Sequence, residues 1–287
     1  MKFTVPDELD GITVKHFLRK HCNVSARTLA KLKRVENGIM LSGQMIRSID
    51  ILHSGDILTI TLPEDEPKIK PSEINVRAAY EDDCIIIFDK PAGMPVHPVH
   101  EYKDNTLANA AAYYMSLKGE SYAFRPVSRL DKDTSGLVLC AKNRYAAAFL
   151  PENNMKIYHA LCHGKITGSG TIDSPLRIKE GHTIQREAGK GGQRAVTHYR
   201  VLENYKDEYT LLEIWLETGR THQIRAHFSS TGHPLAGDDM YGGSREIFPR
   251  QCLHCTRVTF THPETREIIT VQSEIDFFKE YAAGSTG

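Results

Sequence analysis

Apolar residues recur at helical spacing in two stretches near the start of the chain, residues 14–18 and 29–32. Each stretch follows a residue type that commonly accepts a hydrogen bond at a helix N-terminus, Thr13 for the first and Ser25 for the second. The spacing therefore predicts two short helices, the second of which ends before Gly38.

The pattern then changes to short apolar runs that are bounded by Ser and Gly, residues that favour turns. Two such runs are Ile39–Leu41 and Ile57–Ile60, and both have the length and composition of strands. Two helices followed by strands make residues 1–62 a small α/β module.

From about residue 74 onward, strand-like runs dominate. Residues 85–88 and 137–141 are continuously apolar, whereas residues 211–216 alternate apolar and polar side chains. Continuous runs are typical of strands that are buried on both faces, and alternation is typical of half-buried strands. We therefore predict a second, sheet-rich domain that comprises residues 74–287.

Helical spacing is rarer in this second domain. It is clearest after Asn105, and further helices are predicted after Asn143, after Thr221 and before the Ala-Ala-Gly near the C-terminus. Strands that are interrupted by few helices indicate the α+β class, with a mixed, largely antiparallel sheet. Residues 63–71 hold three prolines and lack periodicity, so we assign residues 63–73 to a linker between the domains.

The composition indicates the general class of protein. The chain has 287 residues, 36 Lys+Arg against 36 Asp+Glu, and 40% hydrophobic residues, which excludes a disordered chain or a polycation. No apolar run approaches the ~20 residues of a membrane-spanning helix, and the N-terminus lacks the apolar core of a signal peptide. We expect a cytoplasmic protein with no membrane partner, whose six cysteines are reduced.

The zero net charge hides one strongly basic stretch. Residues 15–34 contain seven Lys and Arg residues and no acidic residue. A helix face that only solubilises a protein normally alternates charge sign, so we interpret this stretch as a binding surface for a polyanion rather than as a merely solvated face. Its basic residues are Lys15, Arg19, Lys20, Arg27, Lys31, Lys33 and Arg34.

The most polar loop of the second domain, residues 129–136, directly precedes an apolar strand. Asp131 has the cationic Arg129 and a lysine on its two sides, and cations favour the ionised carboxylate that a nucleophile or base needs. From the residues alone three other interpretations stay open. They are a simple turn at residues 133–136, a divalent-metal pair formed by Asp131 and Asp133, and the carboxylate pair of a glycosidase.

A second polar cluster, residues 218–225, closes one predicted strand and opens a predicted helix. Gly219 permits an unusual backbone conformation, and Thr221 is a potential helix cap. Arg220 is therefore expected on a turn that projects from the sheet edge, where it can pair with a carboxylate or a phosphate.

Together these segments resemble the RluA-type RNA pseudouridine synthases, in the family's order and through almost the whole chain. The first domain resembles the RNA-binding module of ribosomal protein S-four, which many members carry. The R-L-D-K-D-T-S-G of residues 129–136 and the T-G-R-T-H-Q-I-R of residues 218–225 are the most specific segments. The other matching segments are 81–93, 156–161, 195–197, 232–242 and 253–254.

The resemblance implies the pseudouridine synthase fold and a monomeric enzyme that isomerises uridine in ribosomal or transfer RNA without a metal or an organic cofactor. It implies that Asp131 is the catalytic carboxylate and that Tyr158 stacks on the base and assists proton transfer. Arg220 would pair with Asp131 and keep it charged, and Arg129 would take the place of the flipped base. Phosphate contacts are expected from these arginines, from Arg225 and from the basic helices.

Two other functions stay open at this point. One is an RNA-binding or assembly protein that has this fold but little catalysis, against which an intact set of Asp131, Tyr158 and Arg220 argues. The other is a divalent-metal transferase that uses Asp131 and Asp133 as metal ligands. Activity that is insensitive to EDTA would exclude it.

Overall fold

The computed structural model describes residues 1–22, 24–61, 69–99, 101–206 and 208–275. Residues 63–68 of the predicted linker, and the predicted C-terminal helix, lie outside these ranges. No helix in the described ranges has the length and apolar character that crossing a membrane requires.

The first 61 residues combine short strands with two helical segments. In chain order the elements are β1 (Lys2–Thr4), β2 (Ile12–Thr13), α1 (Val14–His16), α2 (Ala26–Leu32), β3 (Ile39–Leu41), β4 (Gln44–Met45), β5 (Ile51–Leu52) and β6 (Ile57–Ile60). A π-helical segment, Phe17–His21, continues α1. The main sheet is antiparallel in the order β1-β6-β3-β4, and β2 pairs with β5.

Both predicted helices begin at the predicted caps. Thr13 Oγ1 accepts a hydrogen bond from the His16 N–H at 3.3 Å, and Ser25 Oγ accepts one from the Thr28 N–H at 3.0 Å. Their apolar faces are buried with the strands in a hydrophobic core that Tyr145, from later in the chain, also enters. Its other members include Val14, Phe17, Leu18, Leu29, Leu32, Leu52, Leu58 and Ile60. Because this core takes up the apolar faces, the Lys and Arg side chains lie mostly on the outside.

The elements from residue 77 onward are dominated by strands, as predicted. They are β7 (Arg77–Glu81), β8 (Ile85–Lys90), α3 (Leu107–Leu117), β9 (Arg125–Pro126), β10 (Ser135–Ala141), α4 (Arg144–Phe149), β11 (Asn154–His163), β12 (Ser169–Asp173), β13 (Leu176–Ile178), β14 (Arg186–Ala188), β15 (Val196–Tyr205), β16 (Tyr209–Leu216), α5 (Gln223–Ser230), β17 (Leu253–Thr261) and β18 (Ile268–Gln272).

Ten of these strands form one sheet. Its main order is β12-β15-β16-β11-β17-β10-β8-β7, with β18 paired to β17 and β9 paired to β10. The described pairs are antiparallel except for β10 and β17, which run parallel. This confirms the predicted mixed, largely antiparallel sheet.

The parallel pair β10–β17 lies near the middle of the sheet and needs a glycine at its close approach. Gly136 has φ of +108°, and a Cβ on it would lie 2.3 Å from the Cys255 carbonyl oxygen. Only glycine permits both the conformation and the contact. The tight pairing places the loop that precedes β10, with Asp131, beside the segment that leads into β17.

The three helices α3, α4 and α5 correspond to the helices predicted in this part of the chain. Asn143 accepts a hydrogen bond from the Ala146 N–H and so caps α4. Thr221 does not cap α5 as predicted. The helix begins later, at Gln223, and the Gln223 side chain accepts a hydrogen bond from the Arg220 N–H at 2.9 Å.

Candidate active site

Asp131 lies in a tight turn between β9 and β10. The Thr134 N–H donates to the Asp131 carbonyl at 3.2 Å. The turn spans residues 131–134, whereas the alternative interpretation placed a turn at residues 133–136. The difference arises because Ser135 already belongs to β10. The Asp131 side chain is 25% exposed, so part of it is accessible to solvent while most of it is in contact with protein.

A buried lysine holds the backbone of this loop. Lys90, at the end of β8, is fully buried, and its Nζ donates to the carbonyls of Pro91, Met94 and Lys132 at 2.9, 2.8 and 3.0 Å. Burial lowers the pKa of Lys90 to about 7, against the opposing charges of Asp131 and a second aspartate of the loop. Sequence reasoning assigned Lys90 no role; the available signal was a lysine that closes an otherwise apolar strand.

Arg225 bridges Asp131 to a second carboxylate, Asp238. Its Nη1 lies 3.1 Å from Asp131 Oδ2, and its Nε and Nη2 donate to the two oxygens of Asp238 at 2.7 and 2.8 Å. The Arg225 side chain is 6% exposed. Burial by itself lowers the pKa of Arg225, but the hydrogen bonds and charges of the two carboxylates outweigh it and the pKa is raised. A permanent cation therefore stays beside Asp131.

The prediction that Arg220 pairs with Asp131 was wrong. Arg220 is exposed, and its Nε–H donates to the Arg194 carbonyl at 3.1 Å. The reason is the backbone between the two arginines, which turns through a left-handed residue, His222, before α5 begins. Arg220 therefore faces outward, and Arg225, in the first turn of α5, faces Asp131.

Two further features of this segment differ from what the residue types suggested. Gly219 permits an unusual backbone conformation, but the left-handed residue is His222, with φ of 54° and ψ of 22°. Arg225 was expected to contact an RNA phosphate, but its guanidinium is buried and its donors are taken by two carboxylates. A phosphate contact would have to compete with at least one of these ion pairs at a buried site, where separating charges is costly.

Tyr158 lies on β11, opposite Ile214 of β16 and Cys255 of β17. The side chain is buried, with 7% of the residue exposed. Burial raises the pKa of the Tyr158 phenol well above its usual value, and the charges of Cys255 and Asp131 add to the shift. Tyr158 therefore keeps its proton at neutral pH and lies within electrostatic range of Asp131. It offers an aromatic ring and a hydroxyl group that can donate a proton.

His222 also faces the Asp131 loop. Its Nε2 is 3.8 Å from Asp131 Oδ2, and its Nδ1 is 3.0 Å from the Tyr241 hydroxyl. Burial lowers the pKa of His222, so the ring is neutral at neutral pH. The sequence assigned no role to His222 in the reaction; the signal that could have found it was its place inside the specific T-G-R-T-H-Q-I-R segment.

The predicted RNA contacts lie in two places. Arg129 is exposed, two residues before Asp131. A groove of about 330 Å³ within residues 15–34, here called the basic groove, is lined by Lys15, Arg19, Lys33 and Arg34 together with Ala26, Leu29 and Ala30. None of the residues that line it is acidic. The two other basic residues of α2 that were predicted to bind RNA are Arg27, which is exposed, and Lys31, which is half-buried.

Within the described ranges, one group of three side chains has the spacing of metal ligands, Asp82, Cys84 and His262, and the Asp131 loop is not part of it. His262 Nδ1 accepts the backbone N–H groups of Glu264 and Thr265 at 3.2 and 3.0 Å. The ring proton is therefore on Nε2, which lies 3.2 Å from an Asp82 oxygen. A protonated nitrogen cannot ligate a metal, so this cluster serves to close a turn.

The chain is similar in sequence to known RNA pseudouridine synthases. The family described as RNA pseudouridylate synthase matches residues 84–230. The chain is 42% identical over 231 residues to the uncharacterised RNA pseudouridine synthase YhcT of Bacillus subtilis, covering 78% of this chain and 76% of that protein. It is 37% identical over 250 residues to the ribosomal large subunit pseudouridine synthase D of Pseudomonas aeruginosa, covering 79% and 77%.

A solved structure shows the same architecture. Human RNA pseudouridylate synthase domain containing 1 superposes with a TM-score of 0.60 at 26% identity, over 75% of this chain and 90% of that one. The matched family segment contains Asp131, Tyr158 and Arg225, the residues that the geometry brings together or within electrostatic range.

Proposed function

The chain belongs to the RNA pseudouridylate synthase family, and on that premise we propose that it isomerises specific uridines of structured RNA to pseudouridine, with ribosomal RNA as the main substrate and transfer RNA as the second. The observation that carries this proposal is Asp131, a partly exposed carboxylate held by the buried Arg225 at 3.1 Å. Relatives named as ribosomal large subunit enzymes support the choice of ribosomal RNA.

We propose Asp131 as the reacting carboxylate. The reaction breaks the N1–C1′ bond of uridine, turns the detached base and joins C5 to C1′, and the hydrogen of C5 leaves as a proton while N1 gains one. An ionised carboxylate promotes the first step either by attack at C1′ or by removal of a proton from the sugar. In either route Arg225 holds the carboxylate in place through Oδ2.

We propose that Tyr158 stacks on the uracil ring during the turn. Its raised pKa supports a neutral phenol, which presents an uncharged aromatic face to the base and can donate a proton but cannot accept one. Arg129 is proposed to fill the space that the flipped nucleotide leaves. Extruding a base costs a few kcal/mol of stacking, and a filling guanidinium with phosphate contacts offsets part of that cost.

We propose that residues 1–62 are an RNA-binding module like that of ribosomal protein S-four, joined through residues 63–73 to a catalytic domain at 74–287. Support comes from the core that the first 61 residues form, which Tyr145 of α4 also enters, and from the acid-free basic groove. An apolar floor between cations suits a ribose or base edge that is flanked by phosphates. The exposed Arg220 adds a phosphate contact near the reaction site.

Removing two cations from the basic groove, by the double substitution Arg19→Ala and Lys33→Ala, is expected to weaken RNA binding about tenfold at moderate salt. The slope of log affinity against log salt should become shallower by roughly 1.5 to 2, and kcat should stay unchanged. Binding titrations at several salt concentrations measure both quantities.

Arg47→Ala is the matched control for the groove, because Arg47 is an exposed cation of the same module that is already paired with Asp50 at 3.1 Å. It should leave affinity and salt slope as in the unaltered protein. An equal loss of RNA affinity in this control would show that any surface cation of the module contributes to binding. Undiminished RNA binding by the double variant would exclude the basic groove as an RNA-binding surface.

The activity itself is tested with RNA that carries tritium at uridine C5. Incubation with the full chain should release tritium into water, and the release should continue in the presence of EDTA. Mapping pseudouridine in ribosomal and transfer RNA from a strain that lacks the gene should then show the loss of at least one ribosomal site, restored by the unaltered gene. Loss confined to transfer RNA would contradict the choice of ribosomal RNA as the main substrate.

We propose that the protein acts as a monomer in the cytoplasm, where this RNA is found.

A further inference from the structure

His222 has a backbone conformation that its position in the fold does not explain. It precedes α5 with φ of 54° and ψ of 22°, and its side chain makes no capping hydrogen bond to the helix. A left-handed conformation is unfavourable for a residue that carries a Cβ. His222 neither caps the helix nor has a favourable backbone conformation. We therefore look for the compensating contribution in the position of its imidazole ring.

Hydrogen bonds around the ring determine which nitrogen carries its proton. The Tyr241 hydroxyl accepts the backbone N–H of Arg186 at 2.8 Å and lies 3.0 Å from His222 Nδ1. Burial raises the pKa of Tyr241, so the hydroxyl keeps its proton. Among the described residues, His222 Nδ1 is the acceptor within hydrogen-bond distance of that hydroxyl, and we therefore assign the hydroxyl as the donor. The neutral ring therefore carries its own proton on Nε2.

That N–H faces the carboxylate of the reaction site. Nε2 lies 3.8 Å from Asp131 Oδ2, the same oxygen that receives Arg225 Nη1 at 3.1 Å. Among the described residues no donor is bonded to the other oxygen, Oδ1. Arg225 thus donates to Oδ2 in this structure, while the His222 Nε2 lies just beyond hydrogen-bond distance of the same oxygen. Catalytic hydrogen bonds of this kind are often longer in a free enzyme than in its substrate complex.

Resting on the proposed role of Asp131, we propose that His222 is a positioning residue whose Nε2–H, together with Arg225, holds Asp131 Oδ2 and so presents Oδ1 to the ribose of the target uridine. The left-handed backbone is what turns the imidazole from the helix towards the loop. Tyr241 acts one step further away, by keeping the Nε2–H form of the ring.

Three substitutions separate this role from a structural one. His222→Gly removes the ring and relieves the left-handed backbone, and His222→Asn tolerates that backbone but places its amide where Nδ1 was. His222→Gln extends an N–H to about the reach of Nε2. We expect kcat for tritium release to fall about 10- to 100-fold for Gly and Asn, with KM unchanged, and to recover within a few-fold for Gln.

The thermal midpoint of unfolding provides the second readout. It should be unchanged or higher for His222→Gly, because the strain is gone, while kcat falls. Tyr241→Phe should lower kcat when His222 is present but have no further effect on kcat in the His222→Gly background, since the hydroxyl influences Asp131 through the His222 ring.

Full kcat in His222→Gly would overturn the proposal. A loss of kcat that is proportional to the fall in thermal midpoint across the three His222 variants would also overturn it. The same would hold if Tyr241→Phe lowered kcat equally with His222 present and in the His222→Gly background. Asp131→Asn is assayed in parallel. If that variant remained active, the proposed function of Asp131 itself would fail, whatever His222 does, and the two failures are therefore distinguishable.

Discussion

Asp131→Asn is expected to lower kcat for tritium release by about a thousandfold or more. The amide has the size of the carboxylate, but it is neither a nucleophile nor a base, so the N1–C1′ bond gains no help in breaking. Single-turnover release from tritiated RNA measures the loss. RNA affinity should stay within a few-fold, because the basic groove and the loop arginines are untouched.

Asp133→Asn is the matched control, two residues away in the same loop. It should retain most of the activity, since the structure pairs only Asp131 with Arg225. Equal loss in both variants would favour the chemistry of two carboxylates, either a metal pair or a glycosidase-like pair, over a single reacting Asp. Undiminished release by Asp131→Asn would contradict the assignment of the reacting group.

Replacing Arg225 is expected to damage stability and catalysis together. Arg225→Met leaves Asp238, whose side chain is 0% exposed, without its cation, and breaking a buried pair from one side lowers the free energy of unfolding by about 3–5 kcal/mol. Arg225→Lys keeps the charge, but a single ammonium cannot span both carboxylates, so kcat should fall by roughly 100-fold. Denaturant unfolding and tritium release measure the two effects.

The same substitutions at Arg220 distinguish the two arginines of this segment. Arg220 is exposed and its guanidinium donates to a backbone carbonyl. Its replacement by Met or Lys should change the free energy of unfolding by no more than about 0.5 kcal/mol and raise KM for RNA without a large effect on kcat. A variant of Arg220 that is folded but inactive, beside an active Arg225→Lys, would contradict the arrangement of the site.

Much of the fold could be predicted because its signals are local. The caps at Thr13 and Ser25 and the uninterrupted apolar run at residues 137–141 each depend on neighbours within a few positions. The specific segment around Asp131 could be recognised for the same reason. The domain boundaries and the roles of Tyr158 and Arg129 stay predictions.

The errors arose where one backbone angle determines the direction of a side chain. Arg220 and Arg225 are both arginines of one short segment, and the sequence contains nothing that says which of them faces inward. The left-handed turn at His222 and the late start of α5 decide this. Glycine is the usual residue for such a conformation, so the residue types pointed to Gly219 as the permissive position and gave no sign that His222 would adopt it.

The sequence by itself determined the α+β class, the basic and apolar faces of the N-terminal helices and the loop that carries Asp131, the proposed reacting carboxylate, since periodicity and short segments record local preferences. Only the tertiary structure decided which groups surround that carboxylate. Arg225, His222 and Lys90 come from α5, the turn before it and the end of β8, and they meet Asp131 or its loop. Their roles depend on distances between segments that are far apart in the chain, and on burial, which shifts the pKa of each ionisable group.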